Sequence, residues 1–393
     1  MRFQNASLFT GDGFSAGSFE VQDGRFVNVT VDRNGSCRPD TAAAVKMTSP
    51  GAEAVDLQGA LVLPGLIDLH GHGNSGRDFS SCDLDGLREM AAFLGKNGIT
   101  SFAPASMTMS WEQIRTSHSH AARLFQLQKK GTQGRSRIVG INMEGPFFSY
   151  GKRGAQDPVW LKAPDFPAFQ SLYEECGGLI KLVDIAPELP GAMEFIRQAS
   201  RLCTVSVAHT EADYDTVLAA FQQGASQMTH LFNGMNGVHH RAPGPVCAAM
   251  DTPGIFVELI CDGIHIAPPV IRMVFTLFPE RVILISDALS CCGMPDGTYE
   301  LGGQKISLKD RHATLPDGTL AGSACTLFDM LQRTVSFGIP LTAAITAATR
   351  NPAIQLGIYE EVGSIAEGKK ADFLICSESL QLMAVYIDGE KVR

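Results

Sequence analysis

The 393-residue chain has no excess of positive charge, no Cys-x-x-Cys pair and no long apolar run. Its formal net charge is -9, with 32 Lys and Arg against 41 Asp and Glu. Phosphate backbones are bound by basic faces, so nucleic acid is not expected as a partner. A locally positive pocket on an acidic chain still admits a small anion. No stretch has the roughly 20 apolar residues that cross a bilayer, so no membrane partner is expected either. The opening MRFQNASLFTGDGF lacks the basic-then-apolar order of a secretory leader. The ten cysteines are scattered. Cys291 and Cys292 are adjacent, which suits neither a zinc knuckle nor an easy disulfide. Cys203 and Cys261 sit in strand-like runs as small hydrophobes. These absences predict a reduced, cytoplasmic protein. Low-complexity tracts and runs of like charge are also missing. At this length, with 45% hydrophobic and 19% charged residues, the chain can bury a large core in more than one domain.

The two ends share a texture that the middle lacks. The stretch 17-GSFEVQDGRFVNV-29 alternates around an Asp-Gly turn, and 371-ADFLICSESLQLMAVYIDGEKVR-393 does the same around Asp388-Gly389. Residues 1–60 and 355–393 are therefore expected to form one small β-sandwich domain. In the middle, apolar β-branched runs alternate with amphipathic stretches. The strand candidates are 61–69, 99–105, 138–143, 179–186, 203–208, 227–232, 256–261 and 281–286. Helical patterns include 84–98, 111–128 and 213–224. Eight buried strands separated by helices predict a (β/α)8 barrel over residues 61–354. A doubly wound sheet is the rival, but no Gly-x-Gly-x-x-Gly follows an early strand. The Gly-rich, alternating segment at about 291–322 reads as a β-hairpin inserted after strand eight, where it can cover a site.

Barrel sites lie at the C-terminal ends of the strands. Strand one, in 61-LVLPGLIDLHGHG-73, ends in His70 and His72. Strand three ends in Glu144, strand five in His209 and strand eight in Asp287, and strand six carries His230. Singly, each has a bland reading: a structural histidine, a helix cap at Glu144, a turn at Asp287. Together they are the donor set of a catalytic divalent ion that keeps a position open for water. His70 and His72 are two residues apart in a strand and face the same way. With Glu144, His209 and His230 they could surround two neighbouring metal positions, with Asp287 reaching the water.

These residues resemble the amidohydrolase superfamily. Many of its two-metal members carry a lysine after strand four, but here that strand ends in 186-APELP-190. Glu144 looks like the carboxylate that replaces the lysine in one branch, the N-acetylglucosamine-6-phosphate deacetylases. PGLIDLHGHG, MEGPF, AHT, THLFNGM, DGIH, SDA and LPDGTLAGS occur in that branch's order, nearly end to end. The resemblance implies that Glu144, His209 and His230 hold the metal every member needs. It implies that His70 and His72 hold a second, since relatives with Gln-x-Asn there hold one. The ion is zinc, iron, manganese or cobalt.

The resemblance also implies roles around the metal. Asp287 becomes the acid/base, taking a proton from water and returning it to the departing amine. Asn233 and Gly234 meet a sugar phosphate through their backbone, and His265 contacts substrate. Arg241 reaches the phosphate across a homodimer interface, where its fork suits phosphate better than a lysine would. Gln156 stands where some relatives place a histidine near the acetyl group or sugar, and it cannot become cationic. The expected reaction is hydrolysis of N-acetylglucosamine 6-phosphate to glucosamine 6-phosphate and acetate, in amino-sugar catabolism. The alternatives are N-acetylgalactosamine-6-phosphate deacetylation, or another superfamily activity such as opening a cyclic amide or deaminating a base. A non-catalytic assembly barrel is a further rival, though such proteins typically lose ligands.

Overall fold

The computed structural model describes residues 1–32 and 54–393. The remainder of the expected 1–60 segment lies outside the described residues. The chain is α/β, and its parallel strands stand in chain order. Leu66–Asp68 pairs with Ile99–Phe102. The continuation of that second strand, Ala105–Ser106, pairs with Ile141–Phe147. Ile180–Ile185, Thr204–Val207, Gln227–Met228, Phe256–Ile260 and Val282–Ile285 then add in turn to make a seven-stranded parallel sheet. Parallel strands need long crossovers, and here helices supply most of them. Both faces of these strands are buried, which is why they read as continuous apolar runs. Past the eighth strand, Asp287 N donates to His70 O at 2.9 Å and His72 N to Ala288 O at 2.7 Å. The segments following the first and eighth strands therefore meet.

Local signals place the helices. Trp111–Gln128 has the limits its periodicity predicts, and a capping box between Ser110 and Gln113 sets its start. Leu84–Lys96 begins after Asp83, whose side chain accepts from Gly86 N. Among the described residues no helix is long and apolar enough to cross a membrane.

The structure corrects the reading of residues 61–69 and of the insertion. The run 61–69 is two strands, not one. Leu61–Pro64 pairs antiparallel with Phe373–Cys376, and Leu66–Asp68 enters the parallel system. The break falls at Gly65, where a Cβ would lie 2.1 Å from Thr100 Oγ1, so only glycine fits. Burial on both sides keeps the sequence apolar across the break and hides it. The insertion after Val282–Ile285 has three strands, Gly297–Leu301, Gln304–Lys309 and His312–Thr314, where a two-stranded hairpin was expected. Its third strand is only three residues long, too short to show alternation.

The terminal strands form an eight-stranded sheet that joins Arg2–Phe9, Phe14–Gln22 and Arg25–Val31 to Leu61–Pro64, Phe373–Cys376 and Leu382–Ile387. Asp23-Gly24 and Asp388-Gly389 turn with both residues at positive φ, as Asp-Gly turns in hairpins do. Phe3, Phe19 and Phe26 from one end pack on Phe373 and Tyr386 from the other, with ring centroids 4.5–5.8 Å apart. Each buried ring stabilises by about 2–3 kcal/mol, so this cluster ties the chain's ends together. Arg137, just before the third strand's main run, holds Asp372 and Asp388 at 2.6 Å each. It thereby fixes the C-terminal strands against the parallel sheet. Leaving the buried Asp372 without its cation costs about 3–5 kcal/mol.

Candidate metal centre

Six polar side chains converge at the C-terminal ends of the parallel strands, and all are buried. His209 Nε2 and His230 Nε2 each lie 3.1 Å from Glu144 Oε1. The two imidazole nitrogens are 3.2 Å apart. Donors bonded to one ion at about 2.0–2.2 Å stand about 3.0–3.5 Å from each other. His72 Nε2 is 3.4 Å from Glu144 Oε2 and 3.2 Å from Asp287 Oδ1. His70 Nε2 is 3.6 Å from Glu144 Oε1 and 3.7 Å from Asp287 Oδ1. Glu144 thus faces the histidines of strands five and six and those of strand one.

The second nitrogen of each ring is already committed. Nδ1 of His72 meets Ala105 O at 3.1 Å, that of His209 Lys152 O at 2.8 Å, and that of His230 Asn233 O at 3.1 Å. His70 Nδ1 meets Glu258 at 2.9 Å. All four partners are acceptors, so the network assigns the proton to Nδ1 and leaves Nε2 turned inward. His209 and His230 then face each other with two lone pairs or two N–H groups, both repulsive. His70 Nε2 is buried with no hydrogen-bond partner. A cation among these nitrogens relieves both conditions, so the donor set fits a divalent metal. His70, His72 and Asp287, and likewise His70, Glu144 and His230, could each hold an ion.

The local field agrees. Burial opposes charge on Glu144, yet its contacts with His209 and His230, then the charges of His70 and His72, hold its pKa well below the usual range. Burial also opposes a charged His70, but Glu258, then Glu144 and Asp287, raise its pKa well above an ordinary imidazole. Asp287 is lowered in the same way: its burial works against charge, but His72, aided by His70 and His230, outweighs it. A field that draws protons onto histidines equally favours a metal cation.

Backbone geometry marks the same positions. His209, His230 and Asp287 have φ of 45°, 27° and 46°, a left-handed conformation that costs energy for residues with a side chain. It turns each side chain inward at the point where its strand stops. This explains why the sixth strand is only Gln227–Met228, where 227–232 was expected. Gly234, with φ 61°, packs so closely that a Cβ would lie 2.8 Å from His209 Nδ1.

One cavity is lined by His72, Glu144, His209, His230 and Asp287, and also by Gln156, Asn233, Gly234 and His265. Met107, Leu301 and Leu320 supply its apolar wall, and Leu301 comes from the inserted strands. Gln156 spends its amide on protein: Nε2 donates to Glu144 Oε2 at 2.7 Å and Oε1 accepts from Thr108 N at 2.8 Å. His265 lies between Asp262 Oδ2 and Ala321 O, each at 2.7 Å. Burial opposes its charge, but Asp262 outweighs burial and raises its pKa. Arg241 stands apart from the cavity within this chain. It is exposed, with its guanidinium 2.7 Å from His240 Nε2.

The amidohydrolase family profile matches residues 61–392. The chain belongs to the amidohydrolase family. It is 34% identical to the N-acetylglucosamine-6-phosphate deacetylase of Bacillus subtilis, across 94% of this chain and 91% of that protein. It is 31% identical to the N-acetylgalactosamine-6-phosphate deacetylase of Escherichia coli O157:H7, across 84% and 87%. Among solved structures it resembles a mutant N-acetyl-D-glucosamine-6-phosphate deacetylase of Mycobacterium smegmatis in complex with N-acetyl-D-glucosamine 6-phosphate. That match has a TM-score of 0.88 and 32% identity and covers 100% of this chain and 99% of that one.

Three further polar residues of this amidohydrolase, Glu258, Gln227 and Asp184, are not singled out by the sequence motifs. All are fully buried below the histidines. Burial and then the charge of Glu258 push the Asp184 carboxyl well above its ordinary range. A signal is nonetheless present: FVELI and IKLVDI each carry an acid inside an apolar strand. A carboxylate is costly there unless something polar meets it.

Proposed function

We propose that the chain is a metal-dependent deacetylase of N-acetylglucosamine 6-phosphate, releasing glucosamine 6-phosphate and acetate in amino-sugar catabolism. The observation that carries this reading is the facing pair His209 Nε2 and His230 Nε2, 3.2 Å apart beside Glu144, at the floor of a cavity that Asp287 also lines. The named activity of the relatives supports the substrate. The scaffold proposed is a (β/α)8 barrel capped by a β-sandwich from both termini, in a cytoplasmic enzyme.

Glu144, His209 and His230 would hold one divalent ion, and His70 and His72 a second. When bound, such an ion supplies Lewis acidity toward the acetyl oxygen and the attacking water. Asp287, held as a carboxylate by the histidines around it, accepts the water's proton. It returns that proton to the glucosamine nitrogen as the C–N bond breaks. Gln156 holds the free side of Glu144, and Met107, Leu301 and Leu320 exclude water around the acetyl group. The backbone at Asn233 and Gly234 would bind the phosphate, with His265 as a wall fixed between Asp262 and Ala321.

Arg241 is exposed and does not line its own cavity, which suits a homodimer in which it reaches the neighbouring site. Arg241→Ala should raise KM for the phosphorylated sugar at least tenfold and leave the unphosphorylated sugar unaffected. Loss of one charge-assisted phosphate contact is worth about 1.5–3 kcal/mol. Equal changes on both sugars would remove the phosphate role.

The Escherichia coli relative is nearly as similar, so the galactosamine epimer is the second reading. Assay of both 6-phosphates with metal quantification decides between them. Faster kcat/KM on N-acetylglucosamine 6-phosphate is expected, and acetate release from neither sugar would reject deacetylation.

A further inference from the structure

The strand Phe256–Ile260 reads FVELI, and Glu258 is the single charged residue in it, with no exposed surface. A carboxylate inside a parallel sheet is strongly unfavourable unless its lone pairs are met. Three groups meet it. Oε2 lies 2.9 Å from His70 Nδ1 and accepts from His230 N at 3.1 Å. Oε1 accepts from Gln227 Nε2 at 2.6 Å. His70 follows the first strand, while Gln227 and His230 belong to the sixth strand and its end. One buried carboxylate in the seventh strand therefore fastens both halves of the metal centre from below.

His70 differs from the other three histidines. Nδ1 of His72, His209 and His230 meets a neutral carbonyl, whereas Nδ1 of His70 meets a carboxylate. A carboxylate partner holds the Nδ1 proton more firmly and makes Nε2 a better electron donor. His70 also has the least support at its inward end, since its Nε2 has no hydrogen-bond partner. Without Glu258 the proton is free to sit on Nε2 and point at Glu144 Oε1, 3.6 Å away. A ring in that tautomer has no inward lone pair. His230 N, the second donor to the same oxygen, lies in a strained turn with φ 27°. The pull on His230 fixes its register against His70.

We infer that Glu258 is a positioning residue that sets the tautomer and orientation of His70 and so decides whether an ion is held at the His70–His72 side. Gln227, donating to Oε1, keeps the Glu258 carboxylate in place. This inference rests on the two-ion reading of the centre.

Zinc and cobalt titrations of metal-free protein test it, with ions per chain counted by mass spectrometry after dialysis against graded chelator buffers. Glu258→Gln keeps size and removes the charge and one acceptor. It should weaken the second ion about 10- to 100-fold, the usual cost of an outer partner of a ligating histidine. The glutamine oxygen can still accept from His230 N, so the first ion should stay within about threefold, and the visible spectrum of the second cobalt equivalent should shift. Gln227→Leu should weaken the same ion by a smaller factor. A general packing defect would weaken both ions together, and that outcome overturns the inference, as does a wild-type second-ion affinity in Glu258→Gln. If Glu258→Gln does not fold, Gln227→Leu carries the test, and an unchanged second ion there overturns the inference. A wild type that binds only one ion rejects the two-ion reading itself and takes the inference with it.

Discussion

Asp287→Asn should lower kcat for deacetylation by about 100- to 10,000-fold, the range over which a positioned acid/base acts. That is a loss of about 3–5 kcal/mol of transition-state stabilisation. The substitution is mild in every other respect. Asparagine tolerates the left-handed backbone that residue 287 adopts at φ 46°. Asp287 N bonds to His70 O, and Asp287 O accepts from Ser323 N at 2.7 Å; neither involves the side chain. The side-chain amide can still meet His72 Nε2 across the 3.2 Å now spanned by Oδ1. What disappears is a carboxylate able to take a proton from water and hand it on. The ion proposed at Glu144, His209 and His230 should remain, because none of those three uses Asp287 to satisfy its outer nitrogen or oxygen. Steady-state kinetics together with metal content measure both halves. Turnover within tenfold of wild type, at full metal content, would sink the role given to Asp287.

Most of the parallel sheet was legible in the sequence because strands buried on both faces must be apolar throughout. The same property hid the change of sheet at Gly65, where one continuous run serves two structures. The histidines and carboxylates of the centre were legible as polar residues ending apolar runs. Their left-handed φ values were not, since nothing in His209 or His230 as residue types announces a positive φ. Gln156 was visible only as a departure from relatives, and its bond to Glu144 depends on a loop path that no periodicity encodes. Arg241 is the reverse case: the role proposed for it concerns a surface outside its own cavity, where patterns within one chain carry no information. Glu258 and Asp184 broke the apolar rule inside strands, a local conflict that often signals function. The partners of Glu258 come from segments 28 to 188 positions away, so only the fold names them.

Replacing the strand-one pair, His70→Gln with His72→Asn, should cost one ion per chain and leave the other in place. The two rings share Asp287 at 3.7 and 3.2 Å and lie 3.6 and 3.4 Å from Glu144, while His209 and His230 lie closer to it, 3.1 Å from Oε1. Removing both rings strips the second position of its nitrogen donors. The remaining set, Glu144 with His209 and His230, keeps its outer bonds to Lys152 O, Asn233 O and Gln156 Nε2. Three protein ligands with an open position suffice for a catalytic ion. The loss at the second position should exceed the about 10- to 100-fold expected for an outer partner, because the ligands themselves are gone. The asymmetry is the informative quantity. Metal content should fall from two ions to one, and chelator competition should show the survivor's affinity little changed. In the double variant the side-chain amide introduced at position 70 can donate to Glu258, so the buried carboxylate keeps a partner and the fold survives. Simultaneous loss of both ions in a folded double variant would mean that the histidines of strand one also hold the first ion. Retention of two would mean that they hold neither.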